Sequence, residues 1–209
     1  MKIEVWSDVV CPWCYIGKRR LQNALTRFDH TGDVEITWRS FQLDPSQPRG
    51  ENQPTTDMLS SKYGVAPAQA QAMQDRVTSL AAEEGLTYHL DRSLTANTFD
   101  AHRLTHLAAT RDLADGIHER LFQAALVEGE AVDDTETLVR IGTDAGLPAD
   151  EVRKVLEGDA YADEVRADIR EARALGANGV PFFVFDRTYG ISGAQPIEVF
   201  LATLERAAS

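Results

Sequence analysis

Residues 11–14 read Cys11-Pro12-Trp13-Cys14, and they contain both cysteines of this 209-residue chain. A structural disulfide between them would close a very short loop and would stabilise the fold by only about 2 kcal/mol. A zinc site needs four ligands, and the remaining candidates are five scattered histidines without a second cysteine pair. We therefore predict no metal site, and a redox-active dithiol is the interpretation that remains.

The sequence around the cysteines favours this interpretation. Residues 2–6 alternate in the manner of a strand, and residues 15–28 place apolar side chains near helical spacing. Cys11 thus lies where a strand gives way to a helix, and Pro12 suits the first helical position. The unpaired N–H groups and the positive end of the helix dipole stabilise an anion there, which favours a Cys11 thiolate. We expect Cys11 to attack and the more buried Cys14 to resolve the mixed disulfide.

The rest of the chain contains a few strands and a long helical block. Strands are predicted at 34–43, 181–185 and 189–192, a linker at 43–53, and a closing helix at 197–207. Glycines and prolines at the segment ends predict seven more helices, at 56–63, 67–84, 98–112, 115–128, 135–145, 148–157 and 160–175.

This order of elements predicts an α/β fold with an insertion. Residues 1–50 and 176–209 are expected to form one discontinuous domain. Residues 55–175 are expected to form an inserted helical domain, whose last helix leads back into the first. No internal repeat is present.

Composition and charge exclude several classes of function. The chain has 33 acidic and 21 basic residues and a net charge of −12. Such a surface repels phosphate backbones and anionic membranes, so neither nucleic acid nor a membrane is an expected partner. No segment approaches the length of apolar sequence that spans a bilayer. The first residues enter a strand pattern without an export signal, and we expect a cytoplasmic protein.

Two motifs together resemble a known family. The run Cys-Pro-Trp-Cys-Tyr-Ile-Gly at 11–17, with Gly-Val-Pro-Phe at 179–182, resembles the DsbA-like branch of the thioredoxin superfamily, and most closely its cytoplasmic FrnE-like members. The resemblance runs essentially end to end, and it includes the helix start at Asn97-Thr98 and the turn at Gly193-Ala194-Gln195.

The resemblance implies a thioredoxin fold, in which a mixed central sheet is flanked by helices, with a large all-helical insertion. It also implies a cis peptide bond at Val180-Pro181 facing the dithiol. A cis bond before proline costs only about 0.5–1 kcal/mol. The Val180 backbone would then point outward and pair with an extended substrate strand beside Cys11. Without the family, Pro181 would be interpreted as an ordinary start of an edge strand.

The activity that the resemblance implies is thiol–disulfide exchange, as an oxidoreductase or isomerase. Its partners would be protein or small-molecule thiols and disulfides, with glutathione or a thioredoxin-type reductant restoring the starting state. No bound cofactor is expected, although glutathione is a candidate co-substrate. The pair between the cysteines, Pro12 and Trp13, tunes the thiolate. Trp13 replaces the histidine typical of DsbA-like proteins and carries no charge, so we expect a couple less oxidising than DsbA.

Other residues near these motifs have weaker claims to a role. Asp8 is a candidate proton relay to the buried thiol, or a side chain that caps the strand end. His102, on the helix that Asn97 opens, is a candidate to face the dithiol, or a packed histidine.

Besides Val180 and Pro181, three residues are candidates for substrate binding. Trp13 and Tyr15 are expected to form an apolar rim, with core packing as the alternative for Tyr15. The turn at Gln195 either offers backbone donors to a peptide or glutathione carboxylate, or simply caps the last helix.

Two other classes of function stay open. Glutathione-dependent isomerases of the 2-hydroxychromene-2-carboxylate type and kappa-class transferases are similar in layout, but they carry serine where this chain has Cys11 and lack the dithiol. A polyketide-tailoring role with glutathione bound near Cys11 and Val180 belongs with them. The other class is a binding or chaperone module in which the cysteines are incidental.

Overall fold

The computed structural model describes residues 1–29, 32 and 34–209. Two compact units are present: Met1–Leu43 with Arg166–Ser209, and Asp44–Val165. The first unit is built from both ends of the chain, and the second from the intervening segment. Among the described residues, no helix is both long enough and apolar enough to cross a membrane.

A four-stranded mixed sheet forms the centre of the first unit. Its strands are β1 (Lys2–Ser7), β2 (Glu35–Ser40), β3 (Phe182–Phe185) and β4 (Tyr189–Ser192). The order across the sheet is β2-β1-β3-β4, with β1 and β2 parallel and the other two pairs antiparallel. A parallel pair requires a crossover connection, and the first helix supplies it. Strand β2 is shorter than the strand predicted at 34–43.

The described residues contain nine α-helices. They are α1 (Pro12–Leu25), α2 (Thr55–Tyr63), α3 (Pro67–Glu83), α4 (Phe99–Ala109), α5 (Ala114–Gln123), α6 (Thr135–Asp144), α7 (Ala149–Glu157), α8 (Ala162–Ala174) and α9 (Ile197–Ala207). Helix α1 begins at Pro12, the residue predicted to suit the first helical position, and it ends at Leu25, three residues before the end of the apolar pattern at 15–28.

One predicted helix, 115–128, is divided in the structure. Helix α5 ends at Gln123 and continues as a π-helix, Ala124–Glu128, which stops at Gly129 with a φ of 73°. A Cβ at position 129 would lie 2.7 Å from the Arg92 carbonyl oxygen. Glycine is therefore needed there for both backbone conformation and space.

The core of the first unit lies between the sheet and helices α1 and α9. Phe183 on β3 and Phe200 on α9 are fully buried, and their rings meet edge to face with centroids 4.8 Å apart. Helix α1 turns a nearly continuous buried face inward, from Cys14 to Leu25. Burial of these side chains fixes α1 on the sheet, and with it the position of the cysteines at its start.

Helix α8 explains why the boundary of the first unit differs from the predicted one. The Asp168 carboxylate accepts hydrogen bonds from Ser40 N (2.9 Å) and Arg39 Nη1 (3.1 Å). The backbone carbonyl oxygen of Asp168 accepts one from Trp6 Nε1 (2.9 Å). These bonds join the middle of α8 to β1 and β2. The unit therefore resumes at Arg166, whereas the sequence placed the return at residue 176.

A buried carboxylate on β1 connects three segments of the first unit. Glu4 Oε1 accepts hydrogen bonds from Arg39 Nη2 (2.6 Å) and Arg187 Nη2 (2.8 Å), and the Glu4 side chain is only 9% exposed. Burial by itself would raise the pKa of Glu4, but the hydrogen bonds from Arg187 and Arg39 outweigh it and hold that pKa below its usual value.

A buried ion pair organises the second unit. Arg103 on α4 pairs with Asp100 (2.7 Å) and donates further hydrogen bonds to the backbone carbonyls of Val155, Gly158 (2.7 Å) and Ala160 (2.8 Å). One guanidinium thus satisfies the carbonyls at the end of α7, because its five donors form a fixed fork.

We predict that Glu4→Gln lowers the free energy of unfolding by about 1–3 kcal/mol at pH 7, since it removes the charged acceptor of the hydrogen bonds from two arginines. A depressed carboxyl pKa stabilises the fold above the pKa of the unfolded chain, and this stabilisation is lost as the pH falls through the folded pKa. The difference between variant and wild type should therefore shrink toward pH 3. Urea denaturation at both pH values measures it.

Glu35→Gln is the matched control on the neighbouring strand. Its partner, Lys2, lies 3.7 Å away and both side chains are exposed, so the change should cost less than about 0.5 kcal/mol. Equal losses in the two variants would show that the buried network contributes nothing specific.

Candidate active site

The two cysteines lie at the first turn of helix α1. Cys11 is the N-cap residue, with extended φ and ψ of −90° and 111°, and Pro12 occupies the first helical position. Cys11 N donates to Asp8 O (3.0 Å), and Cys14 N donates to Cys11 O (3.0 Å), so the turn is closed on both sides. Both thiols are free and are mostly buried. The helix N-terminus favours negative charge at this point.

Cys14 differs from Cys11 in its surroundings. Burial raises the pKa of the Cys14 thiol well above its ordinary value, and the neighbouring Cys11 sulfur raises it further. The Asp8 backbone and the Ser7 hydroxyl act in the opposite direction without offsetting the burial. Cys14 is therefore held as a neutral thiol, which suits a group that reacts only after a neighbouring sulfur has formed a disulfide.

The turn before β3 faces the first cysteine. The Val180–Pro181 peptide bond is cis, and the Cys11 thiol donates a long hydrogen bond to the Val180 carbonyl, at 3.8 Å. Pro181 O accepts a bond from Gly193 N (2.8 Å), which ties the turn to the end of β4. The Val180 N–H donates to no described residue, and the side chain is half-buried.

The two aromatic residues beside the cysteines have different environments. Trp13 is 40% exposed, as an apolar rim requires. Tyr15 is buried, with the Arg19 guanidinium 4.8 Å from its ring centre and Arg19 Nη2 donating to its hydroxyl (3.1 Å). Tyr15 therefore packs inside the unit, as its alternative interpretation stated, and does not contribute to an exposed rim.

Asp8 has a structural partner close to the dithiol. Its side chain is buried, and Oδ2 accepts a hydrogen bond from Leu43 N (2.7 Å). This bond fixes the chain after β2 beside the chain after β1. The contact corresponds to the strand-end role considered for Asp8.

The turn at Gln195 uses most of its polar groups within the chain. Gly193 N donates to Pro181 O, Gln195 N donates to Gly193 O (3.0 Å), and Gln195 Nε2 donates to Ser192 O (2.9 Å). Ala194 O accepts from Arg20 on α1 (2.7 Å). These bonds connect the turn to α1, β4 and the Val180–Pro181 turn. The N–H groups of Gly193 and Gln195 are therefore used within the chain, whereas the sequence predicted backbone donors open to a carboxylate.

The two remaining candidates belong to the second unit. Asn97 Oδ1 accepts from Phe99 N (3.1 Å) and caps the start of α4, and His102 is buried on that helix. The site described in the first unit does not include them. Within the described residues, no group of three or more histidine, cysteine or acidic side chains is arranged to hold a metal ion.

One residue of the site was not predicted from the sequence. Gly17 is buried in the middle of α1, and a Cβ built on it would lie 3.0 Å from Pro181 Cγ. The signal was a glycine inside an apolar helical pattern, which often marks close packing.

Comparison with known proteins supports this description of the fold. A profile of the DSBA-like thioredoxin domain matches residues 2–205. The crystal structure of a probable DsbA oxidoreductase from Streptomyces coelicolor is 48% identical, with a TM-score of 0.96 over 100% of this chain and 90% of that chain. The predicted thioredoxin fold with its helical insertion is confirmed.

Two more distant structures share the fold alone. The cytosolic disulfide reductase DsbM from Pseudomonas aeruginosa, solved with GSH, is 18% identical with a TM-score of 0.69, over 100% of this chain and 99% of that chain. A 2-hydroxychromene-2-carboxylate isomerase is 14% identical with a TM-score of 0.70, over 100% of this chain and 96% of that chain.

We predict that the two cysteines differ in reactivity once each is isolated. Reduced Cys14→Ser protein, which retains Cys11, should be alkylated by iodoacetamide at pH 7 at least about tenfold faster than reduced Cys11→Ser protein, because burial leaves less Cys14 thiolate. Mass spectrometry of quenched samples gives both rates. In urea the two variants should react within twofold of each other, and equal rates in the folded proteins would contradict the assigned asymmetry.

Proposed function

The chain belongs to the DSBA-like thioredoxin domain family, and from this membership we propose that it is a thiol–disulfide oxidoreductase or isomerase acting through Cys11 and Cys14. The observation that carries the proposal is the position of the Cys11 sulfur, at the N-terminus of α1 and 3.8 Å from the Val180 carbonyl. A nucleophilic thiolate and a site for an extended substrate are thereby adjacent.

The first step is attack of the Cys11 thiolate on one sulfur of a substrate disulfide. A Cys11–substrate disulfide forms, and the second substrate sulfur leaves as a thiolate and takes a proton from solvent. The helix N-terminus stabilises the attacking anion. Trp13, exposed beside it, offers apolar contact to the substrate.

The second step divides reduction from isomerisation. For reduction, Cys14 loses its proton and attacks the Cys11 sulfur, which releases the substrate as a thiolate and leaves a Cys11–Cys14 disulfide; two electrons have passed to the substrate. For isomerisation, a thiol of the substrate attacks instead, and both cysteines return to thiols without net electron transfer. The raised pKa of Cys14 delays the first route and gives the second time to occur.

Return of the oxidised enzyme to the dithiol requires an external reductant. Two glutathione molecules would supply the two electrons and leave as glutathione disulfide, and a thioredoxin-type reductase would serve in the same way. The GSH complex of DsbM supports glutathione as a partner or co-substrate.

Substrate binding is proposed at the Val180 backbone. Its N–H has no partner among the described residues. An extended peptide can therefore add a backbone hydrogen bond there while its disulfide lies over Cys11.

A glutathione-dependent isomerase is the second candidate, since 2-hydroxychromene-2-carboxylate isomerase has the same fold. Such a reaction would use one sulfur or hydroxyl at position 11 and would have no use for Cys14. The free thiols at both positions of the helix start favour exchange.

We predict that Cys11→Ser abolishes disulfide exchange and that Cys14→Ser stops it at the mixed disulfide between Cys11 and the substrate. With insulin and with scrambled ribonuclease as substrates, the exchange rate with Cys11→Ser should fall to the uncatalysed rate in buffer alone. Cys14→Ser should accumulate a covalent mixed disulfide, seen as a band that disappears on reduction.

Melting temperatures of both variants provide the control for folding. Full activity of Cys11→Ser toward the natural substrate would overturn the proposal in favour of the isomerase or chaperone class. A Cys14→Ser protein that turns over scrambled ribonuclease would assign isomerisation rather than reduction.

We predict that Trp13→His makes the dithiol more oxidising. A cationic imidazole beside Cys11 stabilises the thiolate and so the reduced form, and each tenfold change in the equilibrium constant raises the reduction potential by about 30 mV. Equilibration with glutathione buffers measures the potential. Trp13→Phe, which keeps an uncharged ring, is the control, and an equal shift in both variants would contradict the electrostatic explanation.

A further inference from the structure

Gly17 occupies an unusual place in helix α1. It is buried in the interior of the helix, where glycine is a poor helix former, and its φ is not among the positive values of the chain. Backbone conformation therefore does not require glycine at this position. The reason must be the space that a side chain would fill.

That space is occupied by the proline turn and by β3. A Cβ at position 17 would lie 3.0 Å from Pro181 Cγ and 3.1 Å from Phe183 Cζ. Both neighbours are constrained, because Pro181 is buried and the Phe183 ring packs edge to face against Phe200, with centroids 4.8 Å apart. A methyl group would push α1 and the turn apart.

The same face of the helix carries the dithiol. Cys14 precedes Gly17 by three residues, so the two lie one above the other on α1. Separation of α1 from the turn at Gly17 would also shift the Cys11 sulfur relative to Val180, whose carbonyl lies 3.8 Å from it. The offset between nucleophile and substrate-binding backbone is thus set by a glycine six positions away.

We propose that Gly17 is a positioning residue that fixes the Cys11 sulfur against the Val180 backbone, and that it thereby selects extended peptide disulfides over small ones. The inference rests on the proposed function. A peptide that pairs with Val180 presents its disulfide at one place, and it reacts only if Cys11 lies there. A small disulfide does not pair with the backbone and can approach Cys11 from any open direction.

The test compares two substrates that release the same chromophore. One is an unstructured eight-residue peptide with a single central cysteine, as its mixed disulfide with thionitrobenzoate. The other is the mixed disulfide of mercaptoethanol with thionitrobenzoate. In both, the Cys11 thiolate attacks the aliphatic sulfur, a Cys11 disulfide forms, and thionitrobenzoate leaves as an anion. The absorbance of the released anion measures the reaction.

In a single turnover of the reduced protein, Gly17→Ala should lower the second-order rate constant about tenfold for the peptide substrate, and less than twofold for the mercaptoethanol substrate, because small displacements cost rate only where orientation is imposed. The iodoacetamide rate of Cys11, which needs no contact with Val180, should also stay within twofold of the wild type.

Two other glycine substitutions serve as controls. Gly142→Ala creates a comparable clash inside the second unit, where the Cβ would lie 2.8 Å from Val152 Cγ2, and Gly116→Ala adds a Cβ to an exposed helical position with open space. Both should leave the ratio of the rate constants for the two substrates unchanged. Should Gly17→Ala fail to fold, the double variant Gly17→Ala/Phe183→Leu removes one of the two clashes and should show the same loss toward the peptide.

The outcomes separate this inference from the proposed function. A wild-type protein that exchanges with neither substrate overturns the proposed function. A wild type active on both, with Gly17→Ala unchanged on the peptide or reduced equally on both substrates, overturns only the role of Gly17. Loss confined to the peptide supports it.

Discussion

The site depends on the close approach of helix α1 to the turn before β3. Pro181 lies against a helix position that has no side chain, and this contact brings the Val180 carbonyl to 3.8 Å from the Cys11 sulfur. In the proposed function, the helix supplies the nucleophile, and the turn supplies backbone for a substrate. Neither element forms a site alone, so the packing between them determines whether the dithiol can act on a bound disulfide.

Around that contact, short polar braces hold the ends of the elements. Asp8 fixes the chain after β2, and the turn at Gly193 is bonded to both Pro181 and Arg20. Farther from the thiols, Glu4 and Asp168 connect β1 with β2 and α8 through arginine. The carboxylates are buried and paired, and they hold the strands of the sheet and helix α8 together.

Much of the fold followed from local patterns in the sequence. The apolar periodicity, together with glycine and proline at segment ends, predicted the nine α-helices and four strands of the described residues, because both signals are local. The π-helix at Ala124–Glu128 was not predicted. The first unit resumes at Arg166 within α8, where tertiary hydrogen bonds made by Asp168 join that helix to the sheet. At the site, the positions of Cys11 and Cys14 followed from spacing alone. The burial of Tyr15 and the role of the Gln195 turn required tertiary contacts.

The first unit is built from two separate segments of the chain, and this affects when its cysteine site is assembled. Cys11 and Val180 are 169 positions apart, and the whole second unit lies between them in the chain. During synthesis the thiol pair leaves the ribosome long before the partner turn does, and domains generally fold as units as the chain emerges. The nascent protein therefore carries both cysteines for most of its translation without the turn at Val180 beside them, and the proposed site is complete only when the last segment docks.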